Sequence, residues 1–292
     1  TYNTPFHSVF LVTLKKIINL FQMELFFSLS GFLFFFTTQK KFKIKSLLKK
    51  KTIRLLIPFL LIGLFYLIPI RFIANYPPYE STSLIRIIYS FLTVNDCGHL
   101  WFLPTLLGIF IIATVLIRMT KSKQSTFICI VLMLYILSPY LSSFLLITST
   151  KYLFFFFMGY FINQYGKQIF SIKAIYHGLA TLGILLIAYV LIFHNENRVV
   201  TTFTSITIIA SLYYFMPHRT NRFILWLDKN SFGIYLFHSP LMYIIMNKFS
   251  IIAPPAILVP MNLIFGIGGS LIITYFLRAI KCSFVIGEKN DR

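Results

Sequence analysis

The stretch LFQMELFFSLSGFLFFF, residues 20–36, decides how this chain is read. It holds one acid, Glu24, and no base, and its apolar residues run round the whole helix rather than along one stripe. A bilayer core of ~30 Å is crossed by about 20 such residues, so the stretch predicts a transmembrane helix. Working outward, segments 53–73, 100–117, 127–147, 152–162, 174–193, 199–216, 231–247 and 256–277 have the same character. Pro77-Pro78, Pro217 and Pro254-Pro255 punctuate the joins. The expectation is an all-α, polytopic membrane helix bundle with nine spanning helices. No repeat or soluble appendage is visible, so residues 1–292 form one membrane domain.

Composition and charge agree. Only 12% of residues are charged and 58% are hydrophobic, whereas soluble domains are about a quarter charged. The net charge of +20 does not point to nucleic acid, because the bases lie in short blocks between long apolar runs. With nine crossings and an outside N-terminus, 20 of the 27 Lys and Arg fall on the inner side. Remove the short segment 152–162 and the two sides come near parity, so that segment is expected to span and the C-terminus to be cytoplasmic. Cys97, Cys129 and Cys282 are far apart and odd in number, which supports neither a disulfide framework nor a metal site. Walker, GxGxxG and GxSxG motifs are absent, which sets ATP-driven transport aside.

A charged group at the centre of a spanning helix costs roughly 2.5–3.5 kcal/mol on insertion scales, so polar residues there need a partner or a task. Glu24, Ser28 and Gly31 share one helix face; Glu24 either pairs with a base or serves chemistry. Ser231, Tyr235 and His238 share another, where His238 is a base or merely a hydrogen-bond partner. In GHLWFLPTLL, residues 98–107, Trp101 is an interfacial anchor or a sugar contact. Asp96 can orient His99 if a helical turn begins there. The hydroxyls Thr201, Thr202, Thr204, Ser205, Thr207 and Ser211 bond neighbouring helices or line a sugar-accessible cavity. The basic loop KKFKIKSLLKKKTIR, residues 40–54, either orients the chain on anionic lipid or cradles the phosphates of a nucleotide-bearing donor.

Three stretches together resemble the acyltransferase-3 family of bacterial membrane proteins. QMELFFSLSGFLF with the following KSLLKKKTIRLLIPFLL, residues 22–61, is similar to its FF-x-x-SGF helix, basic loop and proline-containing helix. GHLWFLPTLL is similar to its H-L-W-F-L element, and SFGIYLFHSPLMYII, residues 231–245, to its late S-x-x-x-Y-L-x-H-x-P helix. The resemblance implies ten spanning helices, and transfer of an acyl group, often acetyl, from cytosolic acyl-coenzyme A. The acceptor would be an extracytoplasmic glycan, exopolysaccharide or lipid-linked sugar, at the bacterial cytoplasmic (inner) membrane.

The family's first helix carries an Arg and, ten intervening residues later, a His treated as catalytic. This chain is expected to lack that helix, being N-terminally truncated, and His7 lies too late to be that His. A family basic pair three apart, implicated in donor binding, corresponds to Lys51 and Arg54, with Lys50 beside them. Where relatives have F-H-M-P-L-F-F, Gln22 and Glu24 stand in place of His and Pro. The candidates are therefore His99, Asp96, Glu24 and His238 for catalysis, and Trp101, Ser30 and Tyr235 for substrate. The rivals are a flippase for a polysaccharide intermediate and a glycan polymerase, the latter needing a larger external loop than 72–99.

Overall fold

The computed structural model describes residues 8–38, 44–119, 124–169, 173–193, 197–215 and 220–288. Helices are the only regular elements among them, as expected where the backbone must satisfy its own hydrogen bonds. An 11-residue helix, α1 (Val9–Asn19), precedes α2 (Gln22–Thr38). Next, α3 (Ile44–Ile62) passes through a π-helical turn, Gly63–Leu67, into α4 (Ile68–Ile73). A short α5 (Leu84–Leu92) lies in the following loop, and a 3₁₀ turn, Gly98–Trp101, opens α6 (Phe102–Met119). The chain continues with α7 (Gln124–Leu137), α8 (Phe144–Ile169), α9 (Lys173–Phe193), α10 (Arg198–Phe215) and α11 (Arg222–Phe249). Finally, α12 (Pro255–Leu263) joins α13 (Gly269–Ala279) through a second π turn, Ile264–Gly268.

Seven helical stretches among the described residues are long and apolar enough to cross a membrane, so the chain is a polytopic α-helical membrane protein. The remaining two expected segments fall outside that count. One, α7, has 14 residues; the other, α11, has 28 but carries Arg222, Asp228, Lys229 and Lys248.

Two local expectations need correction. The run 127–147 is not one helix: α7 stops at Leu137, a 3₁₀ turn at Ser138–Tyr140 follows, and Leu141 is extended. Pro139 disfavours helix at the residue before it and supplies no N–H, which a purely apolar count overlooks. The segment 152–162 is the middle of the 26-residue α8. Lys151 reads as a loop residue in the sequence, yet it lies inside α8 because Glu24 pairs with it. Before the first expected span, Ser8 caps α1, accepting from the Leu11 N–H at 3.4 Å.

The bundle is centred on α2 against α8. Gly31 lies against the Phe156 carbonyl and Gly159 against the Ser28 carbonyl, so close that a Cβ at either position would overlap backbone. Small residues at such positions let membrane helices approach. Beside this seam Phe34 packs its ring 5.3 Å from Phe156 and 5.5 Å from Phe110, tying in α6. A Thr105–Thr148 hydroxyl bond of 3.0 Å joins α6 to α8.

Candidate active site

Pro240 organises the centre of the site. A proline inside a helix has no N–H for the carbonyl four residues back, so Leu236 loses its helical partner. His99 takes the vacancy: its Nε2–H donates to the Leu236 carbonyl at 3.1 Å. The Tyr235 hydroxyl returns a bond of 2.7 Å to the His99 carbonyl, and Tyr66, on the first π turn, donates to the Phe237 carbonyl at 3.2 Å. His238 donates its Nδ1–H back to the Ile234 and Tyr235 carbonyls, both at 2.9 Å. The two imidazoles stand 5.2 Å apart. Each histidine uses one nitrogen as a donor to backbone, so Nδ1 of His99 and Nε2 of His238 carry lone pairs. Nδ1 of His99 is buried without a partner. Behind them Gly266, in the second π turn, packs on Met242 and His238, where a side chain would press on the Met242 methyl at 3.1 Å.

Asp96 does not reach His99. Its carboxylate pairs with Arg71 of α4 at 2.9 Å. The helical turn at this point begins at Gly98, with Cys97 as its cap, leaving Asp96 outside it. Arg71 is 1% exposed; it also donates to the Tyr79 hydroxyl at 3.2 Å and lies 4.5 Å from the Tyr76 ring and 5.6 Å from that of Tyr243. Gly98 has φ of +54°, and a Cβ there would stand 2.7 Å from an Arg71 Nη. Glycine thus satisfies both the left-handed backbone and the close approach of the guanidinium. Burial raises the phenols of Tyr76 and Tyr79 above their usual range, so they stay neutral donors and acceptors around Arg71. Burial also pushes the Cys97 thiol up to about 12, which removes it as a nucleophile near neutral pH. No feature of the sequence had singled out Arg71; at the end of an apolar run it reads as an interfacial base.

Glu24 is 8% exposed, and its Oε1 lies 3.5 Å from Lys151 Nζ. An aromatic wall separates it from the histidines. Phe27 stacks on Tyr152 at 4.5 Å and lies 4.8 Å from Phe102, while Trp101 is 5.6 Å from Tyr152. Phe102 in turn is 5.8 Å from Tyr235. Tyr235, His99 and His238 are therefore brought together, while the Trp101 ring faces Phe27, Phe144 and Tyr152 in the wall. Ser30 is not brought to them: its hydroxyl turns back on the Phe26 carbonyl at 2.9 Å, and the buried serine of α2 is Ser28, 3.3 Å from the Tyr213 hydroxyl.

The basic candidates form a separate group. Lys51 Nζ stands 4.4 Å over the Phe110 ring of α6, and the Arg54 guanidinium 5.9 Å from the Phe232 ring of α11. Lys50 is exposed beside them. The start of the run, Lys40 to Lys43, lies outside the described residues, as does His7. Twenty residues separate Lys51 from Arg71 along α3 and α4, about 30 Å of helix. The basic group and the Arg71–Asp96 pair therefore lie near opposite ends of the bundle.

The class this defines is a polytopic membrane helix bundle with two facing histidines inside and a group of bases near one end. The acyltransferase-3 family model, described as an acyltransferase domain, matches residues 1–279, and the chain belongs to this family. No curated protein and no solved structure gives a match.

Proposed function

We propose that the chain transfers an acetyl group from cytosolic acetyl-coenzyme A to a hydroxyl of an extracytoplasmic glycan, at the bacterial cytoplasmic membrane. Family membership supports acyl transfer in a membrane. The observation that carries the chemistry is the His99–His238 pair, each ring holding one lone pair while its other nitrogen is tied to backbone. A neutral imidazole with a free lone pair can accept a proton, which suits a general base.

In the proposed reaction the sugar oxygen attacks the thioester carbonyl and its proton passes to an imidazole lone pair. The carbon–sulfur bond breaks, and the coenzyme A thiolate leaves and takes up the proton. His238 is the favoured base, because the His99 Nδ1 is enclosed and its ring is fixed by Leu236. Lys51 and Arg54, with Lys50, neutralise the donor phosphates, and Trp101 offers the sugar an aromatic face. Tyr235 and Asp96 act by positioning, through the bonds already described to His99 and Arg71.

Membranes containing the protein, supplied with labelled acetyl-coenzyme A and host glycan, test the proposal. His238→Ala is expected to lower label transfer by about 10²–10⁴-fold, the usual contribution of a general base. Glycan export that depends on the protein without any label transfer would replace the enzyme with a flippase.

A further inference from the structure

We infer that the cavity between α2, α7, α8 and α10 is a subsite for a sugar unit carrying an anionic group. This rests on the proposal that the acceptor is a glycan. The cavity measures about 340 Å³ and is lined by Glu24, Lys151 and Arg198, with hydroxyls from Tyr135, Thr202 and Ser205 among its walls. That volume lies at the small end of the roughly 300–1,000 Å³ typical of ligand sites.

Two cations face one carboxylate here. Glu24 engages Lys151 through Oε1 only, and its buried Oε2 has no partner. Arg198 is oriented entirely by neutral groups. Its Nη2 donates to the Tyr135 carbonyl at 2.5 Å and to Ser138 Oγ at 2.8 Å, and its guanidinium lies 4.2 Å from the Tyr135 ring. Its buried Nε has no acceptor, and none of the described carboxylates forms an ion pair with it. The open positions thus ask for an anion beside Arg198 and Lys151 and for a hydroxyl donor to Glu24 Oε2. A sugar ring bearing a carboxylate or phosphate supplies both, and guanidinium suits an anion with paired oxygens.

The position also suits an acceptor. Lys151 Nζ stands 4.7 Å over the Tyr152 ring, which belongs to the aromatic wall leading through Trp101 and Phe102 to Tyr235. A glycan seated by its charged unit would carry the neighbouring ring along that wall toward the histidines.

Ligand-observed NMR on the protein in phosphatidylcholine nanodiscs, with glucuronate and glucose as probes, tests this without any acyl transfer. Glucuronate should bind about tenfold more tightly than glucose, the scale of one charge-assisted hydrogen bond. Arg198→Gln should erase the preference and Arg198→Lys should keep part of it, with melting curves verifying that both variants fold. Equal binding of the two sugars, or an unchanged preference in Arg198→Gln, overturns the assignment. So does displacement of glucuronate by phosphatidylglycerol added to the discs, which would make the occupant a lipid headgroup. Arg198-dependent glucuronate binding without label transfer from acetyl-coenzyme A would leave the subsite standing and remove the enzymatic proposal instead. Label transfer with no glucuronate preference would do the reverse.

Discussion

Arg71 shows how one residue can carry structural weight near the site while being invisible in the sequence. Its guanidinium is buried, its single ion-pair partner among the described residues is Asp96, and the backbone at Gly98 is shaped to admit it. Removing one member of a buried pair typically costs about 3–5 kcal/mol, because the remaining charge is stranded. The Asp96 side chain is 33% exposed, so Asp96→Asn should fall at the lower end, about 3 kcal/mol, read as a fall in melting temperature in detergent. Adding Arg71→Met to Asp96→Asn should restore part of the loss, since the stranded charge is then gone. A double variant less stable than the single would show that Arg71 is held by its tyrosines and not by the pair. Asp96 was legible as a functional candidate, but its partner was not. The expectation of an Asp96–His99 contact used sequence spacing, and the turn that would have closed it starts two residues later.

At the scale of elements, prolines and glycines decide which helices meet. Pro240 vacates the Leu236 carbonyl and His99 fills it, so the H-x-P pattern of α11 and the G-H-L-W pattern of α6 are two halves of one contact. That pairing explains why the motifs occur in one chain, yet neither motif alone names the other. The face formed by Ser231, Tyr235 and His238 was readable from helical periodicity, and Tyr235 and His238 do meet the α6 entrance. The break at Pro139 and the true extent of α8 were hidden because apolar counts do not weigh a proline or an ion-paired lysine inside a run. The seam of α2 and α8 gives a direct test. Gly31→Ala and Gly159→Ala each push a methyl into backbone, which cannot rotate away, so each should destabilise by about 1–3 kcal/mol. Gly178→Ala, in α9 with nothing within 4 Å of the added carbon, should instead be neutral or stabilise by about 0.5–1 kcal/mol. Equal effects at all three sites in a detergent melt would mean that close approach at the seam contributes nothing.

For the molecule as a whole, the question is which end faces which compartment, and the parity turns on whether α7 and α8 both cross. The 26 residues of α8 make it long enough to cross, and the Glu24–Lys151 pair lowers the cost of the one charge in its first half. Between the loop before α5 and the start of α10 lie α6, α8 and α9, each long enough to cross, and the 14-residue α7, so these two points share a side if all four cross. The basic start of α3 and the residues just before α11 then share the opposite side, where Lys and Arg concentrate as the positive-inside rule requires. Single cysteines introduced into a Cys-free background expose this arrangement. In intact cells a membrane-impermeant maleimide should label Thr82→Cys and Asn197→Cys, and should reach Ser46→Cys and Thr220→Cys only after permeabilisation. If α7 or α8 failed to cross, Asn197→Cys would be shielded while Thr82→Cys stayed labelled. That result would also place Arg198 and its cavity on the cytosolic side, out of reach of an extracytoplasmic glycan, whereas the expected pattern puts cavity and aromatic wall on the acceptor's side and Lys51 with Arg54 on the donor's.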